Sequence, residues 1–429
     1  MTAGLTLSLW TLLPFGGLLL AIALGPLIAP SWWHRRFPWV SLAFGLPTVL
    51  FLLAQGAPWG GRYLHTLHEY LSFIILLGSL FVISGGVLLR DHLVGTPFVN
   101  TALLAVGTLL ASVVGTTGAS MLLIRPVLQA NRRRTSRVHI VVFFIFLVSN
   151  IGGCLTPLGD PPLYLGYLKG VPFAWTLGLA GPWAAVSGIL LAAFFLVDYV
   201  LYRRERGVHA DEAEGLKDPL DLDGWANLAL LGGVVLAIYL SGRQHWPTGV
   251  QEGVLLALAG LSWKTTPVRI HHANAFHFHP IREVAILFAG IFAAMVPALV
   301  ILEAAPQRWP GLRITEPWQF FWATGALSSF LDNAPTYLSF TALASGLHGV
   351  DAGDLSRLLA TAAGERLLTA ISLGAVFMGA MTYIGNGPNF MVKAIAEEAG
   401  IRMPSFFGYL GWSCAVLIPL FLALTLWMF

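Results

Sequence analysis

The chain has 429 residues, of which 56% are hydrophobic and only 10% charged, and its mean hydropathy is +0.75. That much apolar side chain has no place in a single water-soluble core, which excludes the soluble globular and the disordered classes. The formal net charge of +3 is spread over loops and offers no basic surface for nucleic acid. The two cysteines, Cys154 and Cys414, both lie in apolar surroundings, which argues against a disulfide framework or a zinc site. The expected fold class is an all-α polytopic membrane protein in the lipid bilayer.

In chain order, the apolar segments fall near 5–30, 38–55, 69–89, 98–130, 138–168, 174–202, 224–242, 248–263, 281–303, 317–346, 367–395 and 405–428. The first is too long for a signal-peptide core and has no basic residue before it, so it reads as a retained spanning helix. The segment 98–130 carries Gly115-Thr116-Thr117-Gly118 at its centre, and 317–346 carries Leu331-Asp332-Asn333-Ala334-Pro335-Thr336. Both read as re-entrant hairpins whose arms enter and leave on one side. The segments 138–168 and 367–395 read as broken transmembrane helices. The first holds Ser149, Asn150, Gly152, Gly153, Thr156, Pro157, Gly159, Asp160 and Pro161, and the second holds Gly385, Asn386, Gly387, Pro388 and Asn389. Non-helical backbone at membrane depth is tolerated only where protein or a water-filled cavity satisfies it. Two interrupted segments in corresponding halves point to the binding site of a secondary transporter.

Cytoplasmic loops carry the excess of lysine and arginine. If the 98–130 arms enter from the cytoplasm, Arg35-Arg36, Arg90, Arg132-Arg133-Arg134, Arg137, Arg203-Arg204, Arg206, Lys264, Arg269, Arg282, Lys393 and Arg402 all fall inside. The outside keeps scattered charges such as Arg62, Lys169, Arg243 and Arg308. The same parity makes the 317–346 hairpin enter from outside, so residues 1–202 and 224–429 form two inverted structural repeats joined by a cytoplasmic linker at 203–223.

Among the chemistry-bearing residues, Asp160 comes first, because an ionisable group within a spanning segment is a functional hypothesis by default. Asp followed by Pro161-Pro162 is also helix-start chemistry, and a carboxylate can serve both roles. Asp332 at the outer hairpin tip is the second; Asp-Asn followed by Ala-Pro is equally ordinary turn composition. Asn333, Thr336, Asn386 and Asn389 would join Asp332, while Thr116, Thr117, Ser149, Asn150 and Thr156 would join Asp160. Hydroxyls, amides, carboxylates and freed carbonyls are hard oxygen ligands, suited to sodium, lithium or a proton relay. Any single Ser or Thr here is as readily explained by a bond to its own helix backbone. Glu69, beside His65 and His68, reads as interfacial, Asp198 as cytoplasm-facing, and Arg125 as snorkelling unless it faces an anionic substrate. The run His271–His279 reads as a solvated loop, since a membrane di-iron enzyme needs several histidine boxes. With no G-x-x-x-x-G-K-[ST] and no G-x-S-x-G motif, ATP-driven pumping and hydrolase chemistry have no visible support, so no enzyme activity and no cofactor are expected.

The motifs Ser149-Asn150-Ile151-Gly152-Gly153-Cys154-Leu155-Thr156-Pro157-Leu158-Gly159-Asp160-Pro161-Pro162 and Ser328-Ser329-Phe330-Leu331-Asp332-Asn333-Ala334-Pro335-Thr336 resemble the ion transporter superfamily. The nearest likeness is to its bacterial sodium:proton antiporters of the NhaD type and citrate transporters. The resemblance implies a cation and substrate site on Ser149, Asn150, Gly159 and Asp160 in one half, and on Asp332, Asn333, Pro335, Thr336, Asn386 and Pro388 in the other. It also implies a homodimer with scaffold and moving transport domains, in the bacterial cytoplasmic (inner) membrane. The expected function is sodium(lithium)/proton antiport by alternating access, with cation and proton competing for the carboxylates and no metal beyond the transported cation. The alternative is cation-coupled transport of citrate, a dicarboxylate or arsenite.

Overall fold

In lipid, a run of Leu, Ile, Val, Phe and Ala can satisfy its own backbone only as a helix, and helix is what most of the described chain adopts. The structure, a computed structural model, describes residues 7–90, 93–205, 221–274, 276–311 and 313–429. Among these, eight helices are long and apolar enough to cross a bilayer, from Leu9–Ile28 to Phe406–Met428. The protein is a polytopic helical membrane protein. Large apolar side chains such as Phe407, Leu426, Trp10 and Phe98 are exposed, as expected where the solvent is lipid. Among the described residues the only strands form a short antiparallel ladder, Leu88–Arg90 with Asp221–Asp223, in which Leu88 lies opposite Asp223. Of the expected linker at 203–223, residues 206–220 lie outside the described residues.

The chain forms two compact units, and each draws on sequence from both sides of that linker. The first comprises Met1–Leu77, Pro161–Pro172 and His277–Gly379; the second comprises Gly78–Asp160, Phe173–Phe276 and Ala380–Phe429. In the first unit, the Ala57–Ser84 and His279–Glu303 helices meet through Phe73–Phe288 (ring centroids 4.8 Å apart) and Tyr70–Phe292 (5.7 Å). Tyr70 also donates to the Ala285 carbonyl at 2.9 Å, so its hydroxyl is satisfied away from water. The Pro317–Ser328 helix lies close against Ala362–Met378, where a Cβ on Gly374 would sit 2.5 Å from the Phe321 carbonyl oxygen. Small residues let helix backbones approach this way in membranes.

In the second unit, every residue of the Val138–Leu147 helix is buried except Val138 itself. A helix that is apolar all round belongs inside a bundle, and Phe143 of this one packs on Phe194 at 5.5 Å.

At each of the four glycine- and proline-bearing stretches the backbone leaves the helix. Pro97–Val114 turns into Thr116–Ala130 through Gly115 alone, at φ +82°, a region that glycine enters without a Cβ penalty. Pro317–Ser328 turns into Asn333–His348 through residues 329–332. Pro317–Ser328, twelve residues, spans about 18 Å and Thr116–Ala130, fifteen residues, about 22 Å, short of a hydrocarbon core of about 30 Å, whereas Pro97–Val114 is one of the eight helices long enough to cross. The Val138–Leu147 helix stops at Val148, passes through one 3-10 turn (Ile151–Cys154) and resumes at Pro161–Leu168. Ala362–Met378 likewise gives way to a turn at Gly379–Met381 and resumes at Gly387–Glu398.

Some boundaries differ from the sequence expectation. Pro30–Leu53 is one helix with Pro38 and Pro47 inside it, because lost backbone bonds can be made good by neighbours in a membrane helix. The His271–His279 run is not a continuous loop. His271 and His272 end a short helix, Val268–Ala273, and His279 begins the His279–Glu303 helix.

Candidate functional site

The break at 148–160 is held open by close backbone contact. A Cβ on Gly159 would fall 2.2 Å from the Gly153 carbonyl oxygen, and one on Gly152 would fall 2.7 Å from that of Thr108. The Gly159 carbonyl accepts from the Thr116 N–H at 2.9 Å, which seats the start of the Thr116–Ala130 helix against the break. The freed polar groups are therefore met by protein, as membrane depth requires.

On this frame Asp160, Ser149, Asn150, Thr116, Asn386 and Asn389 come together, all buried and all within the second unit. Thr116 donates its hydroxyl to Asp160 Oδ1 at 3.0 Å. Asn386 donates to the same carboxylate oxygen at 3.2 Å and to the Ser149 carbonyl at 3.1 Å. The Ser120 and Ser149 hydroxyls lie 2.8 Å apart. Asn150 donates to Asn389 Oδ1 at 2.7 Å and to the Ile145 carbonyl at 2.8 Å. Asn389 in turn donates to the Thr382 carbonyl at 2.9 Å. The two broken helices thus meet through asparagine amides.

Two details point to a ligand. An asparagine at a helix start ordinarily caps its own helix, yet Asn386, the N-cap of Gly387–Glu398, makes no such bond and turns to Ser149 and Asp160. The side-chain amide oxygen of Asn150, Oδ1, is buried with no hydrogen-bond partner. A buried acceptor left unmet costs about 1–3 kcal/mol, and a bound cation would remove that cost.

Other expected members take structural roles. The Thr156 hydroxyl donates to the Ser112 carbonyl and accepts from the Leu158 N–H, fixing the loop rather than facing Asp160. Thr117 is only partly buried and makes no side-chain hydrogen bond among the described residues; the helix turns it away from Thr116. Pro157 lies within the loop, while Pro161, Pro335 and Pro388 each lie in the first turn of a helix, where proline has no intrahelical N–H to lose. A Cβ on Gly118 would meet Ser84 at 3.2 Å, whereas one on Gly387 would meet nothing. Gly385 lies in the bend before Asn386.

Asp332, Asn333 and Thr336 belong to the first unit. Asp332 is partly buried and caps the Asn333–His348 helix by accepting from the Ala334 N–H at 3.0 Å. Thr336 returns its hydroxyl to the Asp332 carbonyl at 2.9 Å, the self-satisfied arrangement open to any helical threonine. Asn333 is fully buried.

Sequence reasoning missed two buried ionic groups. Glu69 is paired and not solvated: its Oε1 accepts from Lys169 Nζ at 2.8 Å, with His65 Nε2 at 3.4 Å, and both Glu69 and Lys169 are buried in the first unit. Asp198 is not water-facing but lies fully buried in the second unit. There it pairs with Arg134 at 2.6 Å and His139 at 2.9 Å, and accepts from Asn100 at 2.9 Å. Arg134 also bonds Glu205 at 3.2 Å. Burial alone would raise the Glu205 carboxyl, but the Ser136 N–H and the Arg134 charge hold it below its ordinary value. The only hint in the sequence was the presence of charge inside apolar segments; the partners lie too far apart in the chain to be paired by spacing.

The His271 ring packs at a tilt against Trp263 (centroids 4.8 Å apart) and Phe276 (5.2 Å), and burial lowers its basicity. Among the described residues no three His, Cys, Asp or Glu side chains gather as a metal site, and Cys154 and Cys414 are free thiols.

The chain is 26% identical to an uncharacterized transporter of Mycobacterium tuberculosis over 329 residues, 71% of each chain, and the same figures hold for one of Mycobacterium bovis. It is also 26% identical to a 46 kDa membrane protein of Mycobacterium leprae over 336 residues, 72% of each chain. A family model described as "Putative citrate transport" matches residues 4–429. A polytopic chain with two broken helices, matched over almost its full length, belongs to that transporter family.

Proposed function

We propose that the protein is a secondary active transporter of the bacterial cytoplasmic membrane, with a sodium or lithium ion and a proton competing for one site around Asp160. The observation that carries this reading is the unmatched side-chain oxygen Oδ1 of Asn150 in the group that includes Asp160, Thr116, Ser149 and Asn386. The Asp160 carboxylate, Asn150 Oδ1, the Thr116 hydroxyl and the Ser149 carbonyl are oxygen ligands of the kind that hard cations select, with the Asn386 amide holding two of them in place. When Asp160 is ionised the site holds a cation, and when it takes a proton the charge that held the cation is gone. Exchange then follows from movement of the occupied site between the two faces of the membrane. The 98–130 and 317–346 hairpins are read as re-entrant because one arm of each, Thr116–Ala130 and Pro317–Ser328, is short, and Asp332 is the counterpart carboxylate in the first unit.

A second reading, cation-coupled carriage of citrate or another small organic anion, is supported by the family's description. One experiment separates the two. Purified protein in proteoliposomes with an internal pH-sensitive dye is given sodium, lithium, potassium or citrate outside. Proton movement on sodium or lithium alone, lost in Asp160→Asn, supports antiport. Movement that needs citrate as well overturns antiport in favour of the anion carrier.

A further inference from the structure

Four arginines lie within thirteen residues on the second unit, at 125, 132, 134 and 137, apart from the adjacent Arg133. Their fates differ. Arg134 is buried and paired with Asp198 and Glu205. Arg125, Arg132 and Arg137 make no ion pair among the described residues, and all three line one open cavity of about 460 Å³ with Gln129, Ile395 and Glu398. Glu398 is the only acid there, so the lining carries an excess of positive charge.

Ordinary explanations for basic residues account for little of this. A cation at a helix C-terminus complements the macrodipole, but neither Thr116–Ala130 nor Gly387–Glu398 has a basic residue in its last turn. Arg137 occupies the opposite position, the N-cap of Val138–Leu147, where the helix's positive end disfavours a cation. No side chain caps that helix and no acid lies in its first turn. The excess of lysine and arginine on the cytoplasmic side explains why basic residues occur here, not why three converge unpaired on one concavity. The volume is that of a small-molecule site, and guanidinium groups match carboxylate and phosphate oxygens in pairs.

We infer that this cavity binds a small polyanion through its carboxylate or phosphate oxygens, with Arg125, Arg132 and Arg137 as the ligating groups. The anion is either a free di- or tricarboxylate or phosphate, or the phosphate headgroup of an anionic lipid. Apolar Leu128 and Ile395 on the cavity wall accommodate the carbon skeleton or glycerol of such a ligand. Glu398 lowers the net attraction, so the site exchanges its ligand instead of trapping it. This inference does not depend on cation binding at Asp160, and transport is not its readout.

The test uses the full chain in detergent, delipidated and kept in chloride. The thermal unfolding midpoint is titrated with citrate or inorganic phosphate, with ionic strength held constant by chloride. A saturable rise, with the half-saturating concentration at least tenfold higher in an Arg125→Gln/Arg132→Gln variant, assigns the site to a free anion. If neither anion acts, but native mass spectrometry finds phosphatidylglycerol retained by the parent protein and lost in the variant, the ligand is a lipid headgroup. Equal responses and equal lipid retention in the two proteins overturn the inference. Arg132 is exposed in a turn between helices, so Arg132→Gln alone supplies the same comparison should the double variant fail to fold.

Discussion

Asn386 and Asp160 stand 226 positions apart in the chain, and the amide of one donates to the carboxylate of the other at 3.2 Å. The same amide holds the Ser149 carbonyl at 3.1 Å, so one side chain from the second break fixes both a charge and a freed backbone dipole of the first. The donor is neutral, so it orients the carboxylate by a hydrogen bond and not by an ion pair.

If Asp160 holds the transported cation, the Thr116 and Asn386 side chains that donate to it should matter more than their neighbours. In proteoliposome assays, Asp160→Asn should abolish cation-driven proton flux, and Asn386→Ala and Thr116→Val should each raise the half-saturating sodium concentration by about tenfold, about 1.4 kcal/mol. Thr117→Val should change it little, because Thr117 makes no side-chain bond among the described residues. Equal losses at Thr116 and Thr117 would contradict this geometry.

Gly159→Ala should be among the most damaging substitutions in the chain. Its Cβ would lie 2.2 Å from the Gly153 carbonyl oxygen and 2.8 Å from the Gly153 Cα, and both are backbone atoms that no rotamer change can move. Yield of monodisperse protein should collapse. Gly387→Ala, where a Cβ meets nothing within 4 Å, should be produced at the parent level.

The buried Glu69–Lys169 pair should behave as a unit. Removing one partner of a buried pair strands the other charge and costs about 3–5 kcal/mol. Lys169→Met should therefore lower the unfolding midpoint sharply, while Glu69→Gln combined with Lys169→Met should recover part of the loss. Additive effects in a double-mutant cycle would show that the 2.8 Å contact carries no coupling.

Glu205 should set an acid limit on the second unit. Its carboxyl is held below the ordinary value of 4.5 against the opposing effect of burial, by the Ser136 N–H and the Arg134 charge. A depressed folded-state value means the stabilisation is full above the unfolded value and is lost as pH falls through the folded one. Unfolding midpoints should thus drop below about pH 4.5 in the parent protein, with a shallower drop in Glu205→Gln.

The readable parts of this molecule were those where chemistry and chain order coincide. Glycine and proline at 152–161 and 385–388 marked breaks because lipid leaves few other uses for them, and the breaks are present in the backbone. Asn150, Asn386 and Asn389 stood out for the same reason. Thr156 and Thr336 were legible only as polar groups, since local composition does not say whether a hydroxyl bonds inward or to its own backbone. The pairing of Glu69 with Lys169, 100 residues away, and the burial of Asp198 were beyond reach. A charge inside an apolar segment announces that it has a partner but not which one. The compact units themselves interleave the two sequence halves, a tertiary arrangement that hydropathy alone does not encode.

The empty space beside Gly387 has a practical use. It adjoins Asn386, the residue that bonds Asp160, and a Cβ placed there meets no atom within 4 Å. Cys154 is buried and Cys414 exposed, so replacing Cys414 with serine removes the exposed native thiol. A cysteine introduced at Gly387 would then carry a fluorophore one residue from the proposed ion site. Its emission would follow occupancy directly, in detergent and without a gradient, separating binding from movement across the membrane.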